Sequence, residues 1–319
     1  MTKRIGIITP GGDSSGINAC MRAIVREASY RGFETYGIYR GYQGLIEGDI
    51  KQLTSRSVSN IIHQGGTILH SSRCEIIKTA AGIKKAALAL TRRNIEYLIV
   101  IGGDGSLKAG LKLTNAGIRV IGIPASIDND VYGTEETIGF DTAIDVAVEA
   151  IDKIRDTARS FERIFIVEVM GREHGFLALE VGLTSGAEYM LLPEIGHNLD
   201  KISRELKRAK RRGKNSAIIV KAEGAGDIFD TRRRIEQKTG ISTRASILGY
   251  IQRGGAPSAR SRKLGTTFGV YAVNLIKKSM HDKLVVLKDN KVRHISLKVI
   301  ERRKILDRSL YEIARRVSL

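Results

Sequence analysis

The sequence predicts an α/β fold built on mainly parallel sheets, and a few features carry that expectation. Short apolar runs of strand length alternate with longer stretches of helical period. Runs such as 97–101 and 120–124 are apolar almost throughout, the pattern of strands covered on both faces. Turns rich in glycine and acid follow these runs, at the strand ends where ligands bind in such folds.

In chain order, residues 4–9 are the first expected strand, followed by Pro10-Gly11-Gly12-Asp13-Ser14-Ser15-Gly16 and a helix over 17–30. The turn is a candidate phosphate cradle. It is neither a Walker A loop nor a dinucleotide-binding Gly-x-Gly-x-x-Gly pattern. A strand over 34–39 leads to a glycine-spaced loop, Gly41-Tyr42-Gln43-Gly44, and then a polar stretch to Gly65-Gly66-Thr67. Arg73 follows. An arginine after a loop is commonly surface, but beside phosphate-binding turns it suits a bidentate contact.

Residues 79–93 read as helix, and the strand 97–101 ends in Gly102-Gly103-Asp104-Gly105-Ser106 before a helix over 106–114. Backbone free of side chains at a helix start attracts phosphate, and Asp104 can hold a magnesium ion sharing the phosphate charge. The strand 120–124 ends in Ser126-Ile127-Asp128-Asn129-Asp130, with carboxylates at i and i+2 on one side of extended backbone. One can act as base while the other orients metal or substrate. Together these turns match phosphoryl transfer, which is mostly positioning and charge neutralisation.

Alternation continues with helix 141–157, strand 164–169, helix 173–183, strand 189–192, helix 200–212 and strand 217–221. A domain boundary is expected near Gly139. Further strand-end clusters are Val169-Met170-Gly171-Arg172, Ala222-Glu223-Gly224 and Gly249-Tyr250-Ile251-Gln252-Arg253-Gly254-Gly255. Singly, each is an ordinary loop charge; together they fit a phosphorylated polyol, with cations for the phosphate and a carboxylate for hydroxyls.

At 319 residues and 42% hydrophobic composition, the chain can bury a substantial core as one large domain or two closely packed ones. No apolar run reaches the roughly 18 residues of a membrane span, and Met1-Thr2-Lys3-Arg4 leads straight into a strand, so a cytoplasmic location is expected. Cys20 and Cys74 lack framework or metal spacing and read as free thiols. The net charge of +19 favours anionic partners. Basic runs at 204–214, 232–234 and 301–316 fall on helix-like segments and read mainly as solvated faces. Aromatic content of 5% without Trp argues against a base-stacking surface, so nucleic acid is not an expected partner.

At Gly11-Gly12-Asp13, Gly103-Asp104-Gly105-Ser106, Ile127-Asp128-Asn129-Asp130, Val169-Met170-Gly171-Arg172 and Ile251-Gln252-Arg253-Gly254-Gly255, in this order, the chain resembles the bacterial ATP-dependent 6-phosphofructokinases over essentially its full length. The resemblance implies two Rossmann-like three-layer αβα domains with the active site in the cleft between them. Residues 1–138 plus about 251–302 would bind ATP, and 139–250 plus about 303–319 fructose 6-phosphate. It implies Asp128 as base toward the sugar 1-hydroxyl and Asp104 for the magnesium bound with ATP, which leaves Asp130 as the second carboxylate of the residue-based reading. It places Gly12, Arg73, Cys74, Gly103, Asp104, Gly105 and Ser106 on ATP, and Ser126 and Arg172 near the transferring phosphoryl group. For the sugar phosphate it implies Ser126, Ile127, Asp128, Met170, Gly171, Arg172, Glu223, Tyr250 and Arg253, with Arg163 and Arg244 reaching in from a neighbour. A homotetramer with shared sites is therefore expected, with an effector site for ADP or phosphoenolpyruvate at Arg22, Arg26, Arg155, Glu188, Arg212 and Lys214.

The chain departs from that family's usual pattern at several points. Tyr250 stands where His is usual and cannot become cationic; Ser15 replaces a Pro, which should loosen the first turn; Ser126 replaces a Thr and keeps the hydroxyl. Ser55, Arg56 and Asn60 stand where an arginine, a tyrosine and an aspartate are common, which bears on effector control. Gly105 and Ala125 favour ATP over pyrophosphate, whose users typically carry Asp and Lys there, and Ala109 adds a methyl near the adenine. The expected activity is magnesium-dependent phosphorylation of fructose 6-phosphate by ATP. The alternatives are another donor or acceptor, such as sedoheptulose 7-phosphate, and a homologue that binds phospho-ligands or nucleic acid without turnover.

Overall fold

A computed structural model describes residues 2–318 and divides the chain into two compact units, Met1–Thr142 with Arg253–Lys304, and Ala143–Gln252 with Ile305–Leu319. The strands are β1 (Arg4–Ile8), β2 (Glu34–Ile38), β3 (Ile50–Leu53), β4 (Tyr97–Gly102), β5 (Arg119–Pro124), β6 (Ile164–Val169), β7 (Tyr189–Leu191), β8 (Ala217–Ala222), β9 (Thr243–Ile247), β10 (Lys283–Lys288) and β11 (Lys291–Ser296). The α-helices are α1 (Ile17–Tyr30), α2 (Gly41–Glu47), α3 (Ala80–Arg92), α4 (Asp104–Asn115), α5 (Phe140–Ser160), α6 (Phe176–Thr184), α7 (Leu199–Arg211), α8 (Ile228–Thr239), α9 (Ala259–Lys277) and α10 (Arg308–Ser318).

In the first unit the sheet order is β11-β10-β5-β4-β1-β2-β3, parallel except for the edge strands β3 and β11. Successive side chains of a strand face opposite ways, so one apolar run feeds two cores. Ile99 and Ile101 join Ile5, Ile7 and the helices α1 and α9 on one face, while Leu98 and Val100 join Ile8 and α2, α3 and α4 on the other. The chain winds from β1 to β2 on one side and returns through β4 and β5 on the other. The crevice between the carboxyl ends of β1 and β4 is therefore the switch point where such sheets bind ligands. In the second unit all four strands are parallel, in the order β7-β8-β6-β9.

Several local expectations are corrected. The glycine-spaced stretch at 41–44 is the start of a helix, α2, because Tyr42 and Leu45 bury into the core below it. The stretch after it contains the edge strand β3, whose burial at its two ends only left it without an apolar signature in the sequence. Helix α4 begins at Asp104 rather than Ser106, and α6 at Phe176 rather than Glu173. The basic segment 301–316 begins at the end of a 3-10 turn, Leu297–Glu301, and is α-helical only from Arg308 onward. The β10–β11 hairpin turns at Asp289 and Asn290, both at left-handed φ of 51° and 55°, as a two-residue hairpin turn requires.

Cys20 is buried in the core of the first unit and burial pushes its thiol far up; both cysteines are free. No helix among the described residues is long and apolar enough to cross a membrane.

Helix α9 packs on α1 through glycines. A Cβ on Gly265 would lie 2.8 Å from the Gly16 carbonyl oxygen, and one on Gly269 would lie 2.7 Å from that of Cys20. Gly265→Ala should therefore destabilise the protein by about 1–3 kcal/mol through overpacking, read as a lower urea midpoint; an unchanged midpoint would show that the helices can part at no cost.

Candidate active site

Three chain segments meet at the switch point of the first unit. The turn after β1 ends in Gly16, whose φ of 113° only glycine adopts readily, and α1 starts there without a side-chain cap or an acid in its first turn. The turn after β4 opens α4, with Asp104 in the first turn, where the helix dipole favours a carboxylate. Ser106 joins the two: its hydroxyl donates to the Pro10 carbonyl at 2.6 Å. Gly11 and Gly102 leave the room this requires, since a Cβ on either would stand 2.7 Å from a Ser106 side-chain atom. Tyr42 of α2 supports the same point from below, donating to the Ser106 carbonyl at 2.8 Å. The sequence reading missed Tyr42 because its flanking glycines looked like loop.

The turn after β5 lies beside the one after β4. Ala125 N–H donates to the Gly102 carbonyl, and a Cβ on Gly103 would sit 3.4 Å from Ser126. The Ser126 hydroxyl accepts from Asp128 N–H at 3.1 Å. Asn129 takes a left-handed φ of 51°, holding Thr137 N–H with its carbonyl and the Glu135 carbonyl with its amide. The backbone here is thus a turn rather than extended, which corrects the i, i+2 argument for Asp128 and Asp130: Asp128 is buried and Asp130 half-buried. Ile127 is buried beneath them.

Asp104 is half-exposed and paired with Lys108 one helical turn on, at 2.7 Å. That spacing is legible once the helix is read from Asp104. Among the described residues no group of three or more His, Cys, Asp and Glu side chains could hold a metal ion alone. One carboxylate beside backbone that a phosphate can approach suits magnesium, which keeps waters and shares phosphate oxygens. A Cβ on Gly105 would meet nothing within 4 Å, so space remains open beside this acid. Arg73 is exposed, and Cys74 is half-buried against the α2–α4 core.

Ser15 corrects another expectation. Its hydroxyl lies 2.8 Å from the Gly255 carbonyl and 3.2 Å from that of Gly254, so it ties the first glycine turn to the 253–255 loop where a looser turn was expected. Gly12 and the Arg253 guanidinium are neighbours: a Cβ on Gly12 would lie 3.6 Å from Arg253 Nη1. Asn18 adds a third loop, donating to the carbonyls of Gln64 and Gly65.

In the second unit the ends of β6 and β8 form a separate cluster. Arg172 is exposed at φ 51°, and its N–H donates to Glu223 Oε2 at 3.0 Å. Gly171 has φ 139°, and a Cβ there would lie 2.6 Å from the His174 carbonyl oxygen. Met170 N–H donates to Oε1 of the buried Gln252, whose side chain also bonds the Gly249 carbonyl. Tyr250 is 76% exposed.

Arg163 precedes β6, its guanidinium over the Phe161 ring at 4.5 Å, and Arg244 of β9 pairs in register with Phe165. The six residues of β6, about 20 Å of strand, separate Arg163 from residues 170–172, so one chain does not bring the two sets together. Of the effector candidates, Glu188 holds Lys214 at 3.0 Å and Arg155 at 3.9 Å. Arg212 is exposed just beyond α7, while Arg22 and Arg26 lie one turn apart on α1 of the first unit. Ser55, Arg56 and Asn60 are exposed in the turn after β3.

Comparison with known proteins gives a consistent picture. The phosphofructokinase family model matches residues 4–276. A curated protein of Halalkalibacterium halodurans named ATP-dependent 6-phosphofructokinase is 48% identical over 318 residues, 99% of this chain and 100% of that one. One of the same name from Bacillus subtilis is 47% identical over the same coverage. Among solved structures, phosphofructokinase from Saccharomyces cerevisiae superposes with a TM-score of 0.87 at 32% identity, over 98% of this chain; the chain spans half the length of that yeast chain. With a family model covering most of its length and relatives near half-identical end to end, this chain belongs to the phosphofructokinase family.

Proposed function

We propose that the chain transfers the γ-phosphoryl group of ATP to the 1-hydroxyl of fructose 6-phosphate, giving fructose 1,6-bisphosphate and ADP, as a glycolytic kinase. The observation that carries this reading is the pair of adjoining turns after β4 and β5, one opening α4 with Asp104 and the other presenting Asp128. The names of the full-length relatives supply the donor and the acceptor. The open space at Gly105 supports ATP over pyrophosphate, since it leaves room for the rest of a nucleotide.

In this reading the first unit binds the nucleotide through Gly12, Arg73, Cys74, Gly103, Gly105 and Ser106. Asp104 would hold magnesium, exchanging its Lys108 partner for the metal; the ion supplies neutralisation of phosphate charge. Asp128 takes the proton from the sugar 1-hydroxyl as its oxygen attacks phosphorus and the bond to ADP breaks. Asp130 supports it electrostatically. Ser126 and Arg172 donate to the phosphoryl oxygens in transfer.

The second unit, with Arg253, binds the sugar phosphate through Met170, Gly171, Arg172, Glu223 and Tyr250. Arg163 and Arg244 lie a strand length from that cluster in one chain, which favours a homotetramer in which they serve a neighbour's site. The Arg155–Glu188–Lys214 cluster favours an anionic effector, ADP or phosphoenolpyruvate, with Arg212, Arg22 and Arg26 contributing. A cytoplasmic enzyme is the corresponding location.

ADP formation with ATP, magnesium and fructose 6-phosphate tests the reading, with pyrophosphate and sedoheptulose 7-phosphate run in parallel. Folded protein that is silent with fructose 6-phosphate would sink it. Asp128→Ala should lower kcat about 10²–10⁴-fold with an unchanged circular dichroism spectrum; retained turnover would remove Asp128 as the base. Ser15→Ala should cost about 1 kcal/mol of stability and raise KM for fructose 6-phosphate by freeing the Arg253 loop. An unchanged KM would mean that the loop holds itself.

A further inference from the structure

We propose that the ion pair between Lys221 and Glu168 is a positioning device for the sugar-phosphate loops of the second unit, an inference that rests on the sugar-phosphate reading above. Lys221 has no solvent exposure, and it stands in β8, a strand buried at every position. Its Nζ donates to Glu168 Oε2 at 2.9 Å and to the Ala222 carbonyl at 3.0 Å. Glu168 lies directly opposite in the β6–β8 register, on the same face of the sheet.

Stability alone gives a poor account of such a pair. Removing two charges from water costs about as much as their attraction returns, and well-packed apolar side chains in their place are often neutral or better. What an ion pair adds is direction: buried apolar side chains already forbid a slip of a whole residue, and the ion pair fixes the finer placement of the two strand ends within that register.

The stagger matters here because of what leaves the sheet next. Met170 follows Glu168 by two residues and Glu223 follows Lys221 by two, each just beyond the end of its strand. The carbonyl that Lys221 holds belongs to Ala222, the residue before Glu223. Glu223 N–H in turn bonds the Val169 carbonyl, and its carboxylate takes Arg172 N–H. Glu168 also acts through its backbone, its carbonyl accepting from Leu248 N–H at the entry to the Gly249–Arg253 turn that carries Tyr250. The loops bearing Arg172, Glu223 and Tyr250 therefore all leave the sheet from residues bonded to this pair. A small displacement of one strand end would move the carboxylate and the arginine relative to each other, and with them the site for the sugar phosphate.

The test is a double-mutant comparison in the full-length protein using Lys221→Met, Glu168→Met and both together, with thermal unfolding and separate KM values for fructose 6-phosphate and ATP. Glu168→Met leaves the fully buried Lys221 without its carboxylate and Lys221→Met leaves the partly buried Glu168 without its cation, so each single variant should lower Tm. The double variant should regain the wild-type Tm yet keep a KM for fructose 6-phosphate raised about tenfold, with KM for ATP nearly unchanged. Recovery of both Tm and KM in the double variant would overturn the proposal and leave the pair structural. If the double variant stays unstable, Glu168→Asp decides, since it keeps the charge and shortens the arm: a raised KM for the sugar phosphate supports positioning, and an unchanged one overturns it. Wild-type protein run alongside separates the two levels. No wild-type turnover with fructose 6-phosphate overturns the functional reading and this inference with it, whereas normal wild-type kinetics with an unaltered double-variant KM overturns the inference alone.

Discussion

The close approach of backbone at the carboxyl ends of β1 and β4 is the constraint on which the first unit depends. Ser106 can reach the Pro10 carbonyl only because Gly11 and Gly102 carry no side chains. That one hydrogen bond joins the segment just after β1 to the first turn of α4, beside the switch point of the sheet. The exposed Gly11, Gly12 and Gly105 leave backbone open beside the start of α4, which suits an anionic ligand. Everything behind it, from Tyr42 on α2 to the glycine contacts between α1 and α9, holds that approach in place.

The second unit solves a similar problem by different means. Its strand ends deliver charged rather than glycine-rich segments, and they are held by side chains: Gln252 on Met170, Glu223 on Arg172, Lys221 on Glu168. A dense set of charges at the end of a parallel sheet would repel or collapse without fixed partners. Glu223 and Lys221 bond to groups at or just beyond the end of the neighbouring strand β6, so the register of the sheet sets their spacing.

Where the family pattern is altered, neighbouring groups take up the change. Serine in place of the usual proline at position 15 gives up a rigid φ but gains a hydroxyl that reaches the Gly255 carbonyl. The loop is held by a hydrogen bond instead of by a ring. Lys108 is a second local feature, a cation resting on Asp104 one helical turn away.

The sequence by itself determined the fold class and the alternation of strands and helices as far as β8, because strands buried on both faces read as unbroken apolar runs and amphipathic helices keep a 3.6-residue period; α2, β3, β9, α9, β10 and β11 were not read from it. It also singled out the turns that are candidates for the chemistry, since glycine and acid recur together at the strand ends. Tertiary structure decided the rest. Residues 41–44 became helix because Tyr42 and Leu45 find a core, a fact absent from their local pattern. Asp128 and Asp130 were separated in burial by the left-handed Asn129, which is held through contacts with residues 135 and 137. The clip from Ser15 and the pairing of Lys221 with Glu168 join residues far apart in the chain. No local pattern reveals such partners, because they are set by the order and register of strands, and those are fixed only when the sheet closes.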